Sequence, residues 1–97
     1  MKVLWTDSAI AQLQAIHDYL GQTSPEYALR IVDRLTRRSI QISAFPYSGR
    51  VVPEYESDEI REVIEGRYRI IYNVEATKVN VLAIIHEARN LKPLAEM

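Results

Sequence analysis

The sequence has no cysteine among its 97 residues, and only two histidines, His17 and His86. A disulfide framework and a thiolate nucleophile are therefore excluded, and two isolated histidines do not make a structural zinc site. Apolar runs such as residues 82–85 reach only four or five residues, whereas a membrane helix needs roughly 20. Asp7 follows the start too closely for a signal peptide. We expect a cytoplasmic protein with no metal, no cofactor and no membrane contact.

The length permits one domain, residues 1–97, because two cores would not fit in so short a chain. Apolar residues make up 47% and charged residues 26%, which is ordinary for a globular protein. The net charge of −1 hides a segregation: residues 54–65 carry six acidic side chains and one arginine, while Arg30, Arg34, Arg37 and Arg38 cluster. Opposite charges on separate surfaces favour a protein partner, or a restricted basic site, over a uniform surface for polyanions. The alternative is local pairing, such as Asp33 with Arg37.

Two helices are predicted in the first half of the chain. The first runs from about Ser8 to Leu20, capped by Thr6 or Asp7, with apolar residues at spacings of three and four. Gly21 is expected to end it with a positive φ. The second begins after Ser24, with Pro25 at its first position, and runs to about Ala44. Because only a few residues join them, the helices should form an antiparallel hairpin.

Three strands are predicted after the helices, at residues 59–65, 68–74 and 79–86, separated by short turns and forming an antiparallel meander. A first strand around Trp5 should lie beside the last one and parallel to it. The predicted fold class is α+β, with the order β-α-α-β-β-β and a four-stranded, mostly antiparallel sheet packed against the helical hairpin. Residues 46–50 read as a loop and residues 53–59 as exposed. Residues 87–97 are predicted to be a C-terminal tail.

The strand at residues 68–74 carries the strongest functional signal. Alternation places Tyr68 and Tyr72 on the helix side, where aromatic residues most often form core, and Arg69 on the opposite, open face. A guanidinium there could bind a carboxylate or a phosphate through two hydrogen bonds. The alternative is a cross-strand pair with a glutamate such as Glu62. The register of the last strand, and hence the direction of the His86 side chain, stays open between two parities.

Several short motifs in a fixed order resemble the ParE/RelE family of toxins from type II toxin-antitoxin systems. They are Leu4-Trp5-Thr6, Ser24-Pro25, residues 45–50 (Phe-Pro-Tyr-Ser-Gly-Arg), Arg61-Glu62-Val63, Tyr68-Arg69-Ile70-Ile71-Tyr72, His86 and Arg89. The resemblance implies a toxin domain that is neutralised by a cognate antitoxin from the same operon, in a toxin-antitoxin hetero-oligomer. It also implies that part of the antitoxin wraps over the toxin.

Within this family, RelE-like toxins cleave mRNA on the ribosome with basic residues, whereas ParE-like toxins bind and poison DNA gyrase. If the chain is RelE-like, the resemblance assigns catalysis to Arg69, His86 and Arg89; if it is ParE-like, it assigns no catalytic residue and leaves Arg69 and Arg89 as target-binding candidates. The strand at residues 59–65 is acidic where a nuclease would need cations. We therefore expect a gyrase inhibitor that is not an enzyme. A toxin fold without either activity is a third possibility.

Overall fold

The computed structural model describes residues 1–87, which form two helices and five strands. Arg89 and the rest of the predicted tail lie outside the described residues. In chain order the elements are β1 (Lys2–Trp5), α1 (Asp7–Gly21), α2 (Pro25–Ala44), β2 (Arg50–Val51), β3 (Ile60–Glu65), β4 (Tyr68–Val74) and β5 (Lys78–His86), with one 3₁₀ turn at Pro46–Ser48. No helix within this part of the chain is long and apolar enough to cross a membrane.

Side-chain caps begin both helices where the sequence predicts. The Thr6 hydroxyl accepts a hydrogen bond from the Ala9 amide at 3.1 Å, and the Ser24 hydroxyl accepts one from the Tyr27 amide at 3.2 Å. These contacts satisfy amides that have no partner within the helix. The helix α1 ends at Gly21 as predicted, but the expected positive φ is wrong, because Gly66 is the only glycine among residues 1–87 with a positive φ. Gln22 is the C-cap of the helix, and its backbone N–H donates to the carbonyl oxygens of Leu20 and Tyr19.

The strands form one sheet in the order β1-β5-β4-β3-β2. The meander of β3, β4 and β5 is antiparallel and β1 pairs parallel with β5, so both predictions are confirmed. The strand count of four is wrong, because β2 adds a fifth strand at the edge beside β3. With only two residues, Arg50–Val51 shows no alternation, and it directly follows the turn-forming stretch at residues 46–49, which predicts a loop.

The helical hairpin covers one face of the sheet, called here the helix face. The apolar stripe of α2, including Ile31, Leu35 and Ile42, packs there with Ile70, Tyr72 and Val74 from β4. Leu35 and Ile70 are almost completely buried. Apolar residues recur every three or four positions along α2 and every second position along β4. Each pattern places its apolar side chains on one face, and the two faces pack together in one core layer. The predicted helix-side positions of Tyr68 and Tyr72 are confirmed.

The opposite face, called here the loop face, is covered by the segment between β2 and β3. Val52 is fully buried there with Ile71 and Ala83, and Tyr55 packs against this smaller cluster. The segment at residues 53–59 is mostly exposed, as predicted, but its Tyr55 shields the sheet. The expectation of an open face beneath Arg69 is therefore wrong.

A β-bulge interrupts the pairing of β4 with β5. Tyr72 pairs with Val81, whereas the preceding residue Ile71 pairs with Ala83, so Leu82 is an extra residue on β5. Val81 therefore faces the helix-face core, and after the bulge Ile84 does so again. Neither of the two predicted parities holds along the whole strand, because a bulge shifts alternation by one residue.

Candidate functional site

Arg69 lies on the loop face, where its guanidinium binds Glu62 of the neighbouring strand. The Arg69 Nε donates to Glu62 Oε2 at 2.8 Å, and a second guanidinium nitrogen contacts the same oxygen. Glu62 sits one strand over, paired in register with Ile71. The cross-strand pair with Glu62, considered as the alternative role of Arg69, is confirmed.

Two further charges complete this cluster. Arg50 on β2 donates from its Nε to the other carboxylate oxygen of Glu62, and Glu54 Oε2 lies 3.8 Å from Arg69 Nη1. The Glu62 side chain has no exposed surface and that of Arg69 is only 12% exposed. A buried carboxylate is tolerated when it is paired and hydrogen-bonded. Arg50 and Arg69 therefore compensate the buried charge of Glu62. The guanidinium of Arg69 is thereby engaged within the protein.

The motif at residues 45–50 anchors β2 against the sheet. The Tyr72 hydroxyl crosses to this segment, donating to the Pro46 carbonyl at 2.6 Å and accepting from the Gly49 amide at 3.1 Å. A Cβ on Gly49 would lie 2.6 Å from the Glu62 carbonyl oxygen, so only glycine fits there without a shift. Arg61 donates to the Gly49 carbonyl at 3.1 Å and lies over the Tyr47 ring. This motif is therefore architectural.

His86 lies on the other side of the sheet from Arg69. It pairs in register with Tyr68 on β4, and the two rings meet edge to face with centroids 5.5 Å apart. Tyr68 packs against the helix-face core, whereas Arg69 binds Glu62 on the loop face. The structure therefore does not bring Arg69 and His86 together. Arg89, the third predicted residue, lies outside the described residues.

The Tyr68–His86 pair borders a cavity at the loop end of the helical hairpin, called here the tyrosine recess. Its volume is about 380 Å³, and its main lining residues are Tyr19, Tyr27, Arg34, Arg67, Tyr68 and His86. Leu20, Ile31 and Leu35 add apolar wall from the hairpin. The end of α1, the start of α2, the turn between β3 and β4 and the end of β5 meet there, so every layer of the fold contributes.

Charge in the recess is predominantly positive. Arg34 donates to Glu65 at 2.9 Å, and Arg38 lies 3.9 Å from the other oxygen of the same carboxylate. One glutamate is thus shared by two arginines. Arg67 is exposed on the turn and forms no ion pair with any residue in the 1–87 range.

Tyrosine hydroxyls also converge on this recess. Burial raises the pKa of Tyr68 above its ordinary value, and the neighbouring Tyr27 and Tyr19 raise it further. The Tyr68 phenol therefore stays protonated at neutral pH and can donate a hydrogen bond to a ligand oxygen. Aromatic rings, hydroxyls and arginines together suit a ligand with an apolar body and an anionic group.

Comparison with known proteins identifies the family of this chain. Residues 3–91 match the protein family described as "ParE toxin of type II toxin-antitoxin system, parDE". The chain belongs to the ParE toxin family. The resemblance in the sequence motifs to ParE/RelE toxins is therefore confirmed, as is the α+β fold class.

Individual relatives of this ParE-family toxin carry both names of the superfamily. It is 37% identical over 89 residues to "Toxin RelE2" of Caulobacter vibrioides, covering 91% of this chain and 97% of that protein. It superposes with a TM-score of 0.72 on a structure titled "Chromosomal ParDE TA system from P. aeruginosa", at 25% identity and with 89% and 95% of the two chains covered.

A more distant structure, titled "YoeB/ParE toxin from Agrobacterium tumefaciens", has a TM-score of 0.60 at 15% identity, with 89% of this chain and 98% of that chain covered. At that identity it supports the fold alone. The function is that of a toxin in a type II toxin-antitoxin system, and this family implies a cognate antitoxin as partner.

The sequence did not predict the tyrosine recess of the toxin. Tyr19 and Tyr27 fall outside the apolar stripes of α1 and α2, and both are exposed. A large aromatic residue off the stripe at each side of the helix–helix loop was the available signal. No cluster of three metal-ligating side chains occurs in the portion of the toxin that the structure describes.

Proposed function

We propose that this toxin inhibits growth by binding and poisoning DNA gyrase in the cytoplasm, and that it is not itself an enzyme. The observation that carries the proposal is the position of Arg69 and His86 on opposite faces of the sheet. General acid-base catalysis needs its groups within hydrogen-bond reach of one reacting centre. Two residues separated by the sheet do not meet that condition.

The electrostatics of β3 support the same proposal. RNA cleavage places extra negative charge on a phosphate, which cations positioned in advance must stabilise. Glu62 binds Arg50 and Arg69, and Glu65 binds Arg34 and Arg38. Four arginines are therefore committed to carboxylates of β3. A target protein recognised through its surface does not require a free cationic catalytic site.

A supercoiling assay with purified gyrase tests the proposal directly. We expect the free toxin to inhibit supercoiling of relaxed plasmid and to accumulate cleaved plasmid on gyrase, since a poison traps the cleaved intermediate. The toxin mixed with its antitoxin should have neither effect. Unchanged supercoiling at a toxin concentration that arrests growth would exclude gyrase as the target.

The alternative function is cleavage of mRNA on the ribosome, which the name of the relative "Toxin RelE2" favours. In that case the toxin should cut ribosome-bound transcripts in a reconstituted translation system. Replacing His86 or Arg89 by alanine should then abolish the cuts, while a poison would leave the transcripts intact. A chain that causes no growth arrest without its antitoxin would have neither activity.

A further inference from the structure

The tyrosine recess presents aromatic surface that the toxin alone leaves in water. The residues Tyr19 and Tyr27 are 73% and 45% exposed, although both border a cavity with apolar walls. Burying an aromatic ring is favourable, and Tyr is enriched at the energetic centres of interfaces. These rings therefore offer binding energy that the isolated fold does not use.

The size of the recess restricts what it can receive. Its volume of about 380 Å³ lies near the lower end of the roughly 300 to 1,000 Å³ found for ligand pockets. It accommodates a bulky side chain or two, and not a helix. The occupant is therefore an anchor carried by a larger partner, which contacts the rest of the toxin elsewhere.

The rim specifies the charge of that anchor. Arg67 is exposed and, within residues 1–87, forms no ion pair, while Arg34 already shares Glu65 with Arg38. The surplus is positive, so a carboxylate on the partner gains a charge-assisted hydrogen bond from Arg67. A basic partner segment would meet uncompensated arginines and be repelled.

We propose that the tyrosine recess receives an anchor from the antitoxin: a bulky apolar side chain with a carboxylate next to it in the sequence. The apolar side chain packs between the rings of Tyr19, Tyr27 and Tyr68, and the carboxylate binds Arg67. The antitoxin is the partner that the toxin family implies, and its anchor covers aromatic surface that is exposed in the free toxin. The proposal does not depend on whether gyrase or the ribosome is the toxin's target.

The test measures affinity for the cognate antitoxin by titration calorimetry, using full-length toxin variants. Tyr27→Ala should weaken binding about tenfold or more, as expected for an aromatic residue at the centre of an interface. Tyr27→Phe should retain most of the affinity, because it keeps the ring. Arg67→Glu should also weaken binding about tenfold or more, and more strongly at low salt than at high salt.

Arg37→Glu is the matched control, because Arg37 is an exposed arginine of α2 that pairs with Asp33 and does not line the recess. It should change the affinity less than about threefold. Thermal unfolding of each variant alone separates loss of fold from loss of binding. A charge reversal in the antitoxin, from its anchor carboxylate to arginine, should restore binding to Arg67→Glu.

Equal affinities of wild type, Tyr27→Ala and Arg67→Glu would overturn the proposal. Binding of nucleic acid in the recess would also overturn it. In that case the two variants would lose binding to a single-stranded oligonucleotide, measured by fluorescence anisotropy, and would keep their affinity for the antitoxin.

Discussion

The two faces of the sheet are built on different physical principles. The helix face is closed by apolar side chains of α1 and α2 against the aliphatic and aromatic residues of β4 and β5. The loop face has a smaller apolar cluster around Val52 and Ile71, and beside it the ion pairs of Glu62. Apolar packing stabilises in proportion to area, whereas the ion pairs stabilise only as a complete set.

This difference explains why the sequence predicted Arg69 on an open face of the sheet, although that face is covered. An arginine off the helix face suggests a binding group when that face is open to solvent. Here the β2–β3 segment covers the sheet, and Arg69 neutralises a carboxylate that has no exposed surface. The role of Arg69 as a target-binding residue stays a prediction, and its role in the fold is visible in its contacts.

The largest effect is expected on the helix face. Leu35→Ala should lower the free energy of unfolding by about 2 to 5 kcal/mol, because it leaves a cavity in a well-packed core. Urea denaturation measures the change. Leu29→Ala, at an exposed position of the same helix, should stay within about 0.5 kcal/mol of wild type. Similar losses in both variants would contradict the assignment of this face as the main core.

On the loop face, Arg69→Ala should destabilise by about 3 kcal/mol, because it removes one partner of a buried carboxylate while Arg50 remains. Denaturation should be measured together with growth arrest. Arg37→Ala, which breaks an exposed pair, should cost less than about 0.5 kcal/mol.

A double variant separates charge from packing at the same site. Arg69→Met combined with Glu62→Leu should be more stable than Arg69→Ala, because no buried charge is left without its partner. If the double variant is the less stable of the two, the cluster contributes more than mutual neutralisation.

Gly49→Ala should destabilise by about 1 to 3 kcal/mol, the range for inserting an atom into a packed region. The new Cβ would press on the Glu62 carbonyl and on the hydroxyl of Tyr72. Gly21→Ala is a matched control, since its Cβ would meet Ala28 at an ordinary 3.9 Å. Because Gly21 is the last residue of α1 and has no positive φ, that change should stabilise by about 0.4 to 1 kcal/mol. A harmless Gly49→Ala would show that β2 moves freely.

The smallest effect is expected in alkaline solution. Burial raises the pKa of Tyr68 and of Tyr72 in the folded toxin. Above about pH 10, where an unfolded tyrosine ionises, the unfolded state releases protons that the folded state retains. Stability should therefore be intact below about pH 10 and fall above it. Tyr72→Phe should lose less stability over this interval, and a decline as steep as that of wild type would assign the effect to other groups.

Much of the fold could be read from the sequence, because it follows from local patterns. Capping residues Thr6 and Ser24 and the apolar stripes determine α1 and α2, and alternation sorts Tyr68 to Val74 between the two faces. The strand β2 could not be read, since two residues have no period. The bulge at Leu82 could not be read either, because alternation over β5 is consistent with a regular strand in either parity.

The candidate site was harder to predict, for physical reasons. The sequence does not distinguish an arginine that binds a ligand from one that neutralises Glu62. The two roles are told apart by the β2–β3 segment, which covers this face of the sheet. The tyrosine recess is lined by residues between positions 19 and 86 that come from five elements, so no local motif describes it. Exposure of Tyr19 and Tyr27 becomes meaningful once the end of β5 is known to lie beside them.

The bulge formed by the extra residue on β5 also determines which face of the sheet the later side chains of the strand occupy. With the pairing of Tyr72 and Val81 held fixed, a β5 without the bulge would place Leu82 opposite Ile71 and continue in simple alternation, and every side chain beyond that point would change sides. The imidazole of His86 would then leave Tyr68 and join the face of Arg69. The bulge at Leu82 therefore decides whether this fold keeps a histidine and an arginine apart or places them on one face.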